Sequence, residues 1–439
     1  MRYPATVLRI VVAAGGCTAA IVVLLAWDQR QVGPAGAGLV ICWLCFCLWP
    51  WAVLPVGLIG GAVVSALLGQ DDVRGIALTH TALLLAGCAA LATRRLVGAE
   101  DKRPRPPGQS AMLAVLVVAA LGAVYGLAVG NAASQVLVAT YLVAVIPFYF
   151  LIAMYTLATP NQRAQAGLLY VIAIGMMTAL EFGAPGRHGG LLSLIPIPPL
   201  VVLAGQHRGW RRWAAAFAAA VLATDVVLAS YRGVWLAGGV AVLIMLVRGG
   251  RVVRHGLVAA MAVAGPLAGL VVLAGGLEER ASVIGLAVGR SAGYRLPEAA
   301  VGWDVFARQP LFGAGLGQTT PQIYIPGFEI TDVGPVYHAF YVLLLANLGI
   351  VGLCLVIWPI VRSAWAGFAR REEMPVAYAA LTCGFLAAAF FSGPTDGHWE
   401  LGLLPALTLL TSTPQARTWP GATDRLPFPP TQSALAGAR

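Results

Sequence analysis

Two blocks of sequence decide the fold. The first is AMLAVLVVAALGAVYGLAVG, Ala111–Gly130, and the second is QVLVATYLVAVIPFYFLIAMYTLA, Gln135–Ala158. Neither contains an Asp, Glu, Lys or Arg. Each is long enough, at about 20 residues, to cross the hydrocarbon core of a bilayer as a helix. Their apolar residues run continuously and do not alternate, so they do not read as strands of a water-filled barrel. In lipid only helices and closed barrels satisfy every backbone group, which leaves the helix.

The pattern repeats along the chain. Further apolar runs lie at 10–27, 36–51, 53–69, 75–93, 166–181, 191–205, 213–229, 233–247, 257–276, 339–361, 375–391 and 399–412. Across the 439 residues, 59% are hydrophobic and only 10% charged. A soluble domain carries about 25% charged residues, so an ordinary soluble enzyme is excluded. A disordered chain is excluded by the dominance of apolar residues. The expected fold class is therefore all-α: a polytopic transmembrane helix bundle of about 12 to 14 spans. The pairs 36–51 with 53–69, and 375–391 with 399–412, are candidates for hairpins that do not cross fully.

Charge sets the orientation. Lys plus Arg total 28 against 18 Asp plus Glu, a formal net charge of +10. The basic residues form no single patch, so nucleic acid is not an expected partner. They sit in short clusters between apolar runs. Placing the N-terminus in the cytoplasm and alternating sides puts most of them inside, as the positive-inside rule requires. Both termini are then cytoplasmic. The first run, after Arg2 and Arg9, reads as a retained span and not as a cleaved signal peptide. Domain organisation follows: N-terminal transmembrane helices over 1–276, an extracytoplasmic loop carrying short helices over 277–338, C-terminal transmembrane helices over 339–412, and a cytoplasmic tail over 413–439.

The seven cysteines lie inside apolar runs and read as small buried hydrophobes. Cys42, Cys45 and Cys47 lack the polar loop and His partners of a zinc site. The histidines show no metal-ligand spacing, and no Asp cluster suits Mg²⁺. No metal and no cofactor is expected.

Three outward positions stand out. Ser230-Tyr231-Arg232-Gly233 lies between two runs, Gly293-Tyr294-Arg295 lies in the long loop, and Tyr337-His338 lies where that loop re-enters the membrane. In between, Pro297 can open a helix on which Ala299, Ala300, Trp303 and Phe306 recur at helical spacing. Asp304 and Arg308 form a favourable pair four apart. Pro310 ends that helix, and Gly313, Gly315 and Gly317 follow in a run that permits close backbone approach. Guanidinium forks match phosphate oxygens in a bidentate way and stay charged. Arg232 and Arg295 thus have one reading as a diphosphate clamp. The other reading of Arg232 is a snorkelling interfacial arginine or a partner of Asp225, and that of Arg295 a solvated loop residue. His338 is either a base near neutral pH or a histidine that starts a helix at the headgroups. Tyr231, Tyr294, Trp303 and Tyr337 are either sugar-stacking residues or members of an interfacial aromatic belt.

These residues resemble a known family. Pro310-Leu-Phe-Gly-Ala-Gly-Leu-Gly317, followed by Tyr337-His338-Ala339 and the run through Leu348-Gly349-Ile-Val-Gly352, is similar to the hallmark of the O-antigen ligase and Wzy-type polymerase family. Ser230-Tyr231-Arg232-Gly233 resembles the family's Ser-x-Arg-Gly segment, and Arg295 its loop arginine. The likeness covers about residues 218–355. Ala339 stands where the family usually has Asn or Ser, so the orientation of His338 has to come from a residue elsewhere.

The resemblance implies a GT-C-like, inverting, metal-independent glycosyltransferase of the cytoplasmic membrane of a bacterium, acting in cell-envelope polysaccharide or lipopolysaccharide biosynthesis. Its donor would be a glycan on undecaprenyl diphosphate, its acceptor a lipid or glycan, and its surroundings membrane lipids. Arg232, Arg295 and His338 would be catalytic. Tyr231, Tyr294, Trp303, Gly313, Gly315, Gly317 and Tyr337 would bind substrate. A repeat-unit polymerase of the same family is the alternative. A polysaccharide or lipid transporter is the alternative from another class. It would call for intramembrane charges near the midplane, which only Asp225 and Glu181 approach.

Overall fold

In a computed structural model the described residues are 32–68, 73–97, 106–181, 190–228, 232–273, 295, 297–323, 331–333, 337–370, 372–391 and 398–412. The expected spans at 10–27 and the tail over 413–439 lie outside them. The helices in chain order are α1 (Val32–Leu48), α2 (Val53–Leu68), α3 (Val73–Leu96), α4 (Gln109–Ala128), α5 (Ala133–Thr156), α6 (Pro160–Glu181), α7 (Gly190–Leu194), α8 (Ile197–Gln206), α9 (Trp210–Leu228), α10 (Arg232–Arg248) and α11 (Arg251–Leu273). Helix α12 covers 297–308. It is followed by strands β1 (Thr320–Ile323) and β2 (Thr331–Val333), then by α13 (Phe340–Phe368), α14 (Glu373–Ala388) and α15 (Glu400–Ser412).

Helices α4, α5 and α13 are, among the described residues, long and apolar enough to cross a membrane. The composition of the remainder explains the breaks. Pro50 starts a 3₁₀ turn, Pro50–Ala52, that separates α1 from α2. Pro196 splits the run expected at 191–205 into α7 and α8, because a proline cannot donate to the preceding turn and restrains its neighbour.

Helix α5 forms the centre. It is apolar on every side, and most of its residues are buried, from Val136 to Thr156. A helix without a polar face must be covered on all sides or face lipid. Here α4 and α15 cover it. Gly402 of α15 sits directly on the Ile146 carbonyl, where any Cβ would collide. Small residues at such crossings let the backbones approach closely. Helices α13, α14 and α15 pack on one another, and α14 makes its most extensive contact with α10.

The loop segment carries α12, a short helix as expected, and in addition a two-stranded sheet. β1 and β2 pair antiparallel, Thr320 opposite Val333 and Ile323 opposite Thr331, with an irregularity between. The β-branched residues Thr320 and Ile323 of β1 and Thr331 and Val333 of β2 are the sequence cause. The buried face of α12 also differs from the apolar stripe expected. Glu298, Gly302 and Val305 are buried, whereas Ala300 and Trp303 are exposed.

The glycine-rich segment after α12 is built into the membrane-spanning helices. Helix α13 breaks at Gly349, where φ is 65° and ψ is −170°. In an unbroken helix Ile350 and Val351 would donate to Ala346 and Asn347. Instead they donate to Pro310 (2.9 Å) and Leu311 (3.3 Å). The freed carbonyls of Ala346 and Asn347 accept from Ala314 (2.8 Å) and Gly315 (3.0 Å). Leu316 donates to Gly122 of α4 (3.1 Å), and the Asn131 amide donates to the Leu316 carbonyl (3.0 Å). The loop therefore repairs the broken ladder, as buried backbone groups demand.

Gly315 has φ +83°, and a Cβ there would lie 2.7 Å from the Gly126 Cα. Gly315→Ala is expected to lower stability by more than the ~1–2 kcal/mol of left-handed strain alone. Gly130→Ala, also at positive φ but with open space around it, should show only the strain. Thermal unfolding of the two purified variants checks the order.

Candidate active site

The site is assembled from the ends of three helices and the loop between them. Arg232 is the first residue of α10 and is exposed. Its turn is fixed by Trp235, whose indole donates to the Val226 carbonyl of α9 at 2.8 Å. A cation at a helix N-terminus is disfavoured by the macrodipole, whose positive end already attracts anions. Arg232 and the first amides of α10 thus make one anion-seeking end.

Arg295 precedes α12. Its guanidinium donates to the Phe391 carbonyl at 2.7 Å, just beyond the C-terminus of α14. Carbonyls there are unsatisfied by their own helix, and the negative end of the dipole suits a cation. Burial, and then the like charge of Arg232, lower the Arg295 pKa, with Glu298 acting in the opposite sense.

His338 lies two residues before α13. Its Nδ1 is 2.8 Å from Glu298 Oε2, and its backbone N–H donates to the same oxygen at 3.0 Å. The Glu298 side chain is 3% exposed and that of His338 40%. The carboxylate is sealed while the imidazole is reachable. A carboxylate on Nδ1 fixes ring orientation and tautomer, leaving Nε2 as the basic nitrogen. Glu298 supplies the orienting group that Ala339 does not.

Glu298 was the functional residue that sequence reasoning missed. It follows Arg295 by three positions and sits one residue inside the helix opened by Pro297. A carboxylate one turn from a candidate arginine, on a helix leading toward a candidate histidine, is the signal that was available. The other expected residues fall elsewhere. Tyr231 and Tyr294 lie outside the described residues. Trp303 is half-exposed, on the face of α12 away from buried Glu298, and stacks edge-on against Phe306 with ring centroids 5.3 Å apart. Gly313, Gly315 and Gly317 press on the backbones of α13, α4 and α5, so protein fills the cradle proposed for a ligand.

Tyr337 is fully buried and offers no face for a sugar. Its ring lies against Gly302 of α12, where a Cβ would stand 3.0 Å from the ring. Burial, and then the Glu298 carboxylate, push its phenol pKa up to about 12. Its hydroxyl has no hydrogen-bond partner among the described residues. Tyr337→Phe should therefore leave stability within about 1 kcal/mol of the parent or raise it, since an unsatisfied buried hydroxyl is lost. Tyr337→Ala should cost about 3–5 kcal/mol, in line with deletion of a large buried aromatic. Thermal unfolding of both variants tests the assignment of this ring to packing.

Comparison with known proteins agrees with the motif order. No curated protein and no solved structure matches the chain. Residues 214–357 match the family model described as O-antigen ligase, and the matched stretch contains Arg232, Arg295, Glu298 and His338 together with the glycine segment and the broken helix. The stretch that carries the carboxylate-held histidine is thus the part of this membrane protein that is similar to the O-antigen ligase family, over residues 214–357.

Proposed function

We propose that the chain is an inverting glycosyltransferase of the ligase type, taking a glycan from undecaprenyl diphosphate on the outer face of the cytoplasmic membrane and passing it to a lipid or glycan acceptor. The observation that supports this reading is the His338–Glu298 pair, 2.8 Å apart, on the helix that Arg295 precedes. On the outer face no nucleotide sugar is at hand, and a lipid-linked diphosphate is the fitting activated donor. The guanidinium forks of Arg232 and Arg295 suit the oxygens of such a diphosphate.

The step follows from those groups. The acceptor hydroxyl gives its proton to His338 Nε2 as its oxygen attacks the anomeric carbon. The bond from that carbon to the diphosphate oxygen breaks on the opposite face, and configuration inverts. Arg232 and Arg295 hold the leaving diphosphate as its charge grows. Glu298 holds the imidazole and stabilises the imidazolium that forms. Charge neutralisation is assigned to arginines, so the proposed reaction needs no metal ion.

The test uses purified protein with a lipid-diphosphate glycan and candidate acceptors, with and without chelator. Arg232→Ala, Arg295→Ala and His338→Ala should each abolish transfer while membrane abundance stays unchanged. Glu298→Gln keeps the shape but loses the charge, and should lower the rate by about 10²–10⁴-fold, as for a disabled general base. Full transfer by all three alanine variants would overturn the reading, and loss of transfer with chelator would overturn its metal-free form. A single capped product identifies a ligase, and a lengthening ladder identifies the polymerase of the same family.

A further inference from the structure

Helix α12 does more than carry Glu298 to His338: Val301, Asp304 and Arg308 of the same helix line a cavity of about 520 Å³. The far wall is the approach to β1, with Gln318 and Thr319. This volume is within the usual range of small-ligand sites, about 300–1,000 Å³.

The lining has a definite chemistry. Val301 and Val305 form an apolar floor. Asp304 and Arg308, paired with each other across one turn, supply a carboxylate acceptor and a fork of donors. The Gln318 amide, which donates to the Thr319 carbonyl at 3.0 Å, adds both functions, and Thr319 adds a hydroxyl. The charged groups cancel, so the cavity has no preference for an anion, unlike the Arg232–Arg295 end. Alternating donors and acceptors over an apolar floor match a saccharide, which has a C–H face and a rim of vicinal hydroxyls. Position adds to this. Residues 298 and 301 are neighbours on the helix surface, about 5–6 Å apart between Cβ atoms. The cavity lining therefore begins one helical turn from the carboxylate that holds His338.

We infer that the cavity between α12 and β1 is a neutral-saccharide subsite that holds the acceptor glycan, an assignment that rests on the transferase reading for the word acceptor but not for sugar binding itself.

The experiment uses the full chain in lipid nanodiscs free of sugar-based detergent. Saturation-transfer NMR is recorded against maltose, lactose, mannobiose and chitobiose. At least one disaccharide should take up saturation, and the double variant Asp304→Ala/Gln318→Ala should weaken its binding at least tenfold. Absence of saturation on every disaccharide, or binding by the double variant within twofold of the parent, overturns the subsite. Farnesyl diphosphate binding by the same samples separates the two readings. It should survive in the double variant and be lost in Arg232→Ala/Arg295→Ala. Sugar binding that persists while the diphosphate fails to bind the parent would sink the transferase reading and leave the subsite standing.

Discussion

The site depends on one buried carboxylate. Glu298 lies under the loop with its Oε2 accepting from both the backbone and the ring of His338. A carboxylate removed from water must be met by donors, or its burial is too costly to survive. Here both donors come from the residue that leads into α13. The same interaction that stabilises the buried charge fixes helix α12 against the start of a membrane-spanning helix and sets the imidazole plane. Tyr337, packed on Gly302, fills the remaining gap between them. Structure and chemistry thus share a single contact.

A second constraint supports the first from below. A chain that leaves α12 and crosses toward β1 would present naked amides to the ends of α4, α5 and α13. The broken turn at Gly349 absorbs them by exchanging partners, two donors for two acceptors. Gly315 and Gly126 lie backbone to backbone, and Gly313 meets the break itself. The glycine segment therefore works as a fastener for the loop. That explains why it sits between the arginine and the histidine in sequence without touching either in space.

Arginine placement follows the same electrostatic logic. Arg295 rests on the carbonyl end of α14, where a cation is welcome, whereas Arg232 stands on the amide end of α10, where it is not. Among the described residues Arg295 is anchored on a backbone carbonyl, whereas Arg232 is exposed.

Much of this was legible in the chain itself. Uncharged apolar runs determined helices and a membrane, since backbone polarity in lipid leaves no other local solution. Pro50 and Pro196 determined two of the helix boundaries, because a missing N–H acts within one turn, whereas Pro147 and Pro359 lie inside helices and α13 breaks at Gly349. The order of Arg232, Arg295 and His338 pointed to one site, because arginine and histidine chemistry is intrinsic to those side chains. Tertiary structure alone decided the rest. Only packing shows that Glu298, forty residues from His338, is its partner, that Tyr337 is buried, and that the glycines meet helices instead of a ligand. Those facts are set by which surfaces exclude water together. Contacts between segments far apart in sequence leave no period or spacing to be read.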